Sequence, residues 1–256
     1  MIANATVLSF LTAAVFTFIL PIAILIILGV KKKISGLPLL LGAAAFFLSQ
    51  IVLRIPLLGA LSARESYKSF AENHYILLIL LICLSAGIFE ESARLGGAFI
   101  LKKRRSSKDI LSFGLGHAFC EAVVLIGITH INNIVLCLIA NGTSGTLAAA
   151  LSPDTLETAV TQLAAVNPLH VYLGIAERFS AVIFHIFATV LVFKGIIEKK
   201  LRYYVFAILA HTVFNFTGVF LAGRTDIIIA EIVLLIMAAV AGYLVKKVKL
   251  PPIDFR

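Results

Sequence analysis

Two adjacent glutamates, Glu90 and Glu91, stand in an otherwise apolar stretch of this chain, with Arg94 one helical turn further on. The next apolar run carries Gly114, Gly116, His117 and Glu121; the one after it carries Glu177, Arg178 and His185; a third carries His211 and Asn215. A charged side chain inside a bilayer costs at least ~2.5–3.5 kcal/mol on insertion scales, so each of these residues needs a compensating reason. Residues three and four apart on a helix are neighbours, so Arg94 can reach either glutamate and hold it ionised. His117 with Glu121, and His211 with Asn215, likewise share helical faces. A carboxylate base, imidazoles and an amide donor are the parts of a hydrolytic site. No HExxH spacing is present, so the expected chemistry uses no metal and no cofactor.

The elements that must position these groups follow from composition. Hydrophobic residues make up 61% of 256 positions and charged residues only 14%, with a mean hydropathy of +1.06. A soluble domain carries about 25% charged residues, so lipid must be the solvent for most of these side chains. Apolar runs near or above the ~20 residues needed to cross the hydrocarbon core fall at 5–30, 37–61, 75–101, 110–140, 168–193, 203–222 and 227–245. Lipid offers no partner to backbone polar groups, so the runs must be helices. The expected fold is all-α: a polytopic transmembrane helical bundle of about seven spans, forming a single integral membrane domain over 1–256.

Net charge is +9, and its placement is one-sided. Lys31, Lys32 and Lys33 follow the first span; Lys102, Lys103, Arg104, Arg105 and Lys108 follow the third; Lys194, Lys199, Lys200 and Arg202 follow the fifth. Lys246, Lys247, Lys249 and Arg256 close the chain, whereas the alternate loops hold Arg64, Lys68 and Arg224. The positive-inside rule then sets the N-terminus outside and the C-terminus in the cytoplasm of a multi-pass cell-membrane protein. Topology and anionic lipid account for the charge, and no nucleic-acid partner is expected. Cys83, Cys120 and Cys137 lie within spans and form neither a metal-finger spacing nor a disulfide framework. Between the fourth and fifth spans, Ser152-Pro153-Asp154 reads as a helix start. Leu156, Val160 and Leu163 then recur at helical spacing, as in a short amphipathic surface helix.

Depth brings the polar residues together. At ~1.5 Å rise per residue, Glu90, Glu91, Glu121 and Asn215 lie roughly 15–18 Å from the cytoplasmic ends of their spans. His117, His185 and His211 lie roughly 11–12 Å from theirs. Four helices thus place polar groups in one band of the inner half of the bilayer. Taken alone, His185 reads equally as a satisfied interhelical hydrogen bond, and Glu177-Arg178 as a local pair or a support to the site. His130 reads as interfacial, Glu231 as a packing contact and Cys120 as core.

These motifs resemble those of the CAAX-protease and bacteriocin-processing superfamily of membrane-embedded peptidases. They comprise Glu90-Glu91-Ser92-Ala93-Arg94, then Phe113 to His117, then His211 to Asn215, in that order on successive helices. Gly116-His117 with Glu121, Glu177-Arg178 followed by His185, and His211 with Asn215-Phe216 are closer still to the YhfC-type branch. The resemblance covers 75–220, which would be the catalytic helical core. It implies a glutamic-type intramembrane peptidase in which Glu90 and His117 activate a water. His211 and Asn215 would stabilise the oxyanion, and Arg94 would position the acid pair, with Glu121, Glu177, Arg178 and His185 in support. The implied substrate is a membrane peptide or a lipidated or otherwise membrane-anchored protein. Arg94 follows the glutamates after two residues rather than the three of prenyl-protein proteases, so the base stays open between Glu90 and Glu91. A metal-dependent hydrolase, a proton-coupled transporter and a non-catalytic scaffold are the competing readings.

Overall fold

The computed structural model of the chain describes residues 1–102, 104–142 and 152–248. Lys103, Lys249 and Arg256, named above for their charge, lie outside the described residues. Seven helices are long and apolar enough to cross a membrane: α1 (Asn4–Val30), α2 (Gly36–Ser62), α4 (Tyr75–Ile100), α5 (Ser107–Ala140), α7 (Pro168–Ile197), α8 (Arg202–Ala222) and α9 (Ile227–Lys247). Two shorter helices, α3 (Glu65–Asn73) and α6 (Pro153–Ala164), lie between spans. Among the described residues every regular element is helical, as the solvent argument requires. The expected spans coincide with the observed ones, and the largest shift is at α7, which runs on to Ile197. There Lys194 lies 3.3 Å from Glu198 and 5.3 Å from the Tyr203 ring, so a helix end that looks polar in sequence keeps partners.

The chain divides into two compact units: Met1–Ile26 with Ala122–Arg178, and Ile27–Glu121 with Phe179 onward. In the first unit, Ile2, Phe10, Ala13, Cys137, Leu163 and Val171 are buried together. Helix α6 starts where its sequence signals it, with the Ser152 hydroxyl accepting from the Thr155 N–H at 3.3 Å. Its apolar stripe is used: Leu163 is buried, and Val160 packs against the same cluster. Asn141 ties the chain start down, accepting from the Ile2 N–H at 2.7 Å and donating to its carbonyl at 3.1 Å. Glu177 and Arg178 form an ion pair with each other.

The second unit positions the polar residues, and its helices approach unusually closely. A Cβ added at Gly116 would overlap the Leu39 carbonyl, and one at Gly42 would overlap the carbonyl of Phe113. Helices α2 and α5 therefore meet backbone to backbone, which is how small residues let membrane helices associate. At Gly114 a Cβ would come within 3.2 Å of Ile186 Cα on α7, so the same glycine pair admits a second neighbour. Phe113, Ala98, Ile110 and Phe193 fill the space beside this seam. Phe184, Phe187, Phe214 and Leu234 form a second cluster between α7, α8 and α9. Two stretches widen to π-helical geometry, Phe47–Arg54 within α2 and Ala122–Gly127 within α5.

Three spans end on a lysine in the left-handed region: Lys32 at φ 52°, Lys102 at φ 50° and Lys199 at φ 55°. After α1 the Lys33 N–H donates to the Leu28 carbonyl at 2.8 Å. After α7 the Lys200 N–H donates to the Gly195 carbonyl at 2.9 Å. This is the backward bond of a Schellman stop, which satisfies carbonyls the helix leaves open.

Candidate active site

Glu90 and Glu91 are consecutive on α4, so their side chains leave the helix ~100° apart, and each meets different helices. Glu90 turns toward α2 and α5. Its Oε2 lies 2.9 Å from His117 Nε2, and its Oε1 accepts from Gln50 Nε2 at 2.7 Å. Two further imidazoles stand just beyond hydrogen-bond range, with His185 Nδ1 3.9 Å from Oε2 and His211 Nε2 3.8 Å from Oε1. Glu91 turns toward α8. Its Oε1 takes the ion pair from Arg94 and accepts from His211 Nδ1 at 2.8 Å. The question of Arg94's partner, open in the sequence, resolves to Glu91.

The network also assigns the histidine tautomers. A guanidinium only donates, and Arg94 Nη2 lies 3.1 Å from His185 Nδ1. That nitrogen must therefore accept, which leaves the ring proton on Nε2, 2.5 Å from Glu121 Oε2. His211 is set the other way. Its Nδ1 donates to a carboxylate already paired with Arg94, so Nε2 is the nitrogen left facing Glu90. Aromatic rings stand edge-on to two of the imidazoles. Phe46 stands edge-on to His117 at 5.3 Å and 82°, and Phe184 stands edge-on to His211 at 5.4 Å and 72°. Phe184 is itself stacked on Phe214.

Burial is nearly complete: Glu91, Arg94 and His117 are 0% exposed, His211 is 1% and Glu90 is 5% exposed. Glu90, His117, Glu91, Arg94, Glu121, His185 and His211, all named from the sequence, thus form one connected cluster within the second unit. Asn215 sits one turn beyond His211 on α8, half-buried, and no side-chain hydrogen bond joins it to the cluster among the described residues. Glu177 and Arg178 belong to the first unit. Sequence reasoning missed Gln50, which touches Glu90 directly, and Arg54, which donates to Gln50 at 3.0 Å. The available signal was an arginine inside an apolar run, which marks a functional region by default.

The donor set also fits a metal ion. Glu90, His117 and His185 each offer one ligand atom, and these atoms lie within 4.8 Å of one another in a buried setting. Carboxylate and imidazole donors suit zinc. His185 carries the outer partner typical of a metal-bound imidazole, a carboxylate on its far nitrogen. His117 Nδ1 is buried with no hydrogen-bond partner among the described residues, and His185 Nδ1 accepts from Arg94, so each ring lacks one part of a metal-bound imidazole.

Seven apolar spans and, within the second unit, a buried cluster of carboxylates, imidazoles and arginine define a polytopic membrane protein with the equipment of a hydrolase. Comparison with known proteins makes this specific: residues 16–236 match the model of the YhfC intramembrane metalloprotease family, and the chain belongs to that family. It is an intramembrane protease by family, and a multi-pass protein of the cell membrane. Among curated proteins, it is 29% identical over 257 residues to "Uncharacterized membrane protein YhfC" of Bacillus subtilis (strain 168), covering 97% of this chain and 98% of the relative. No solved structure gives a significant match. The YhfC branch of the resemblance is thereby shown; the wider CAAX-protease placement is not addressed by these matches.

Proposed function

We propose that the chain hydrolyses a peptide bond of a membrane-embedded or membrane-anchored protein at Glu90, with Glu90, His117 and His185 as ligands of a divalent cation. The observation that carries this reading is the convergence of three buried donor atoms; one of them, His185 Nδ1, accepts from Arg94 Nη2 at 3.1 Å and would give up that bond to hold the ion. When bound, such a cation supplies an activated water and polarises the scissile carbonyl. The remaining residues have roles of their own. Glu121 orients His185, while Glu91, neutralised by Arg94, orients His211. His211 Nε2, unprotonated in this tautomer, then faces the Glu90 carboxylate, placed to take a proton released by the attacking water and, once protonated, to pass it to the leaving amine or hold the oxyanion. Asn215, one turn along the same helix, supplies an amide on that side. With the N-terminus outside, as the positive-inside rule favours, the cluster would lie in the inner half of the bilayer and cleavage would take place near the cytoplasmic face.

A metal-free glutamate mechanism is the second reading, favoured by the direct 2.9 Å contact of Glu90 with His117. That contact gives a carboxylate base and an imidazole acting together on a water. One experiment separates the two. The protein is purified in detergent, its metal content is measured, and its cleavage of a transmembrane peptide is followed before and after chelation. Stoichiometric zinc, with activity lost on chelation and restored by zinc, is expected. Full activity in a metal-free preparation would leave the glutamate mechanism standing.

A further inference from the structure

Arg54 lies half-buried within an apolar span, and its guanidinium makes three hydrogen bonds to the protein among the described residues. Its Nε donates to Ser85 Oγ at 2.9 Å, its Nη2 to the Ile82 carbonyl at 2.8 Å and its Nη1 to Gln50 Oε1 at 3.0 Å. Ser85 is itself held, donating to the same Ile82 carbonyl at 2.7 Å. The guanidinium is thus clamped to α4 about one to two turns before Glu90. Because arginine only donates, the Gln50 atom facing it must be the carbonyl oxygen. The amide nitrogen is then forced toward Glu90, where it donates to Oε1 at 2.7 Å. A flipped amide would set its NH2 against the guanidinium and leave Glu90 facing an oxygen. Gln50 is only 2% exposed, so water cannot take over either role.

We propose that Arg54 and Gln50 are positioning residues for Glu90, a relay that ties up Oε1 and leaves Oε2 as the working oxygen. The proposal rests on the reading of Glu90 as the reacting carboxylate. With Oε1 held, the carboxylate plane is fixed and the two oxygens become unequal. Oε2 is then the one presented to His117 Nε2 at 2.9 Å and His185 Nδ1 at 3.9 Å. Both relay residues lie in the π-helical stretch Phe47–Arg54, a local geometry often found at functional sites. A purely structural tie between α2 and α4 would need Arg54 and Ser85 but not the bond from Gln50 to Glu90.

The test uses the full chain in liposomes with a quenched-fluorescent transmembrane peptide. In parallel, zinc affinity is measured in detergent by competition with a chromophoric chelator. Gln50→Glu keeps the size of the side chain and its bond to Arg54 but removes the donor to Glu90. It is expected to lower kcat by about 10–100-fold with KM little changed, and to weaken zinc binding by a similar factor, the usual effect of losing an outer partner of a ligand. Arg54→Lys, which keeps charge but loses the fork, should show the same split between kcat and KM. Adding Arg54→Lys to Gln50→Glu should cost little further, because both act through one bond. A folded Gln50→Glu protein with parental kcat and zinc affinity would overturn the relay, and so would fully additive losses in the double variant. Glu90→Gln serves as the control: if it cleaves like the parent, the reading of Glu90 fails. If it is inactive while Gln50→Glu is not, only the relay fails.

Discussion

Glu90 and Glu91 are neighbours in sequence and opposites in company. The Glu91 side of the site carries charge against charge: Arg94 pairs with its Oε1 and His211 donates to the same oxygen at 2.8 Å. The Glu90 side has an amide at 2.7 Å and an imidazole at 2.9 Å, with two more rings close by and no cation in hydrogen-bond contact among the described residues. A carboxylate already matched by an arginine serves best as a strut for the histidine it holds. One held by an amide and imidazoles keeps capacity for a water, a metal ion or a substrate. Under the proposed function the difference in surroundings divides the labour, with Glu90 as the reacting carboxylate and Glu91 as the positioning one.

The sharpest way to break this division is to neutralise each acid in turn. Glu90→Gln should lower kcat for a transmembrane peptide by roughly 10²–10⁴-fold, the range for a lost acid–base group and no less for a lost metal ligand, with little change in thermal stability in detergent. A larger loss from Glu91→Gln than from Glu90→Gln would invert the assignment. Next in size is Arg94→Leu, which leaves Glu91 buried without its cation. It should destabilise the fold by about 3–5 kcal/mol, seen as a lowered unfolding temperature that Glu90→Gln does not share. Glu91→Gln should lower cleavage by about 10–100-fold, the cost of losing an orienting partner, and Glu91→Ala should do no less. The smallest effect is expected from Glu177→Gln. Its ion pair with Arg178 is partly exposed and of the kind worth at most ~1 kcal/mol, so activity within about fivefold of the parent is the expected result. A Glu177→Gln loss matching that of Glu91→Gln would move this pair into the working site.

What could be read from sequence depended on how costly each residue is in lipid. The seven spans were legible because an apolar run of sufficient length has no alternative structure. Glu90, Glu91, Arg94, His117 and His211 were legible because each is too expensive to sit in a span without partners. Gln50 was not, since an amide costs less and Ser49-Gln50 passes for a polar blemish in α2. The choice of Arg94's partner was also hidden. Both glutamates are within its reach along the helix, and the choice depends on which neighbouring helix meets which acid. The grouping of Glu90 with His117 and His185 is equally a product of tertiary packing. Its members come from three helices, and no short motif spans them.

The lysines that end α1, α4 and α7 carry a consequence of a different kind. Glycine is the residue that the left-handed position favours, and lysine there is strained by roughly 1 kcal/mol or more. In exchange a positive charge sits at the negative end of the helix dipole, at the spot where a nascent span is read for its orientation. Stop signal and compass needle are therefore the same residue. Replacing Lys32, Lys102 or Lys199 by glycine would relax the turn and blunt the needle, so backbone comfort and correct insertion cannot be improved together at these three corners.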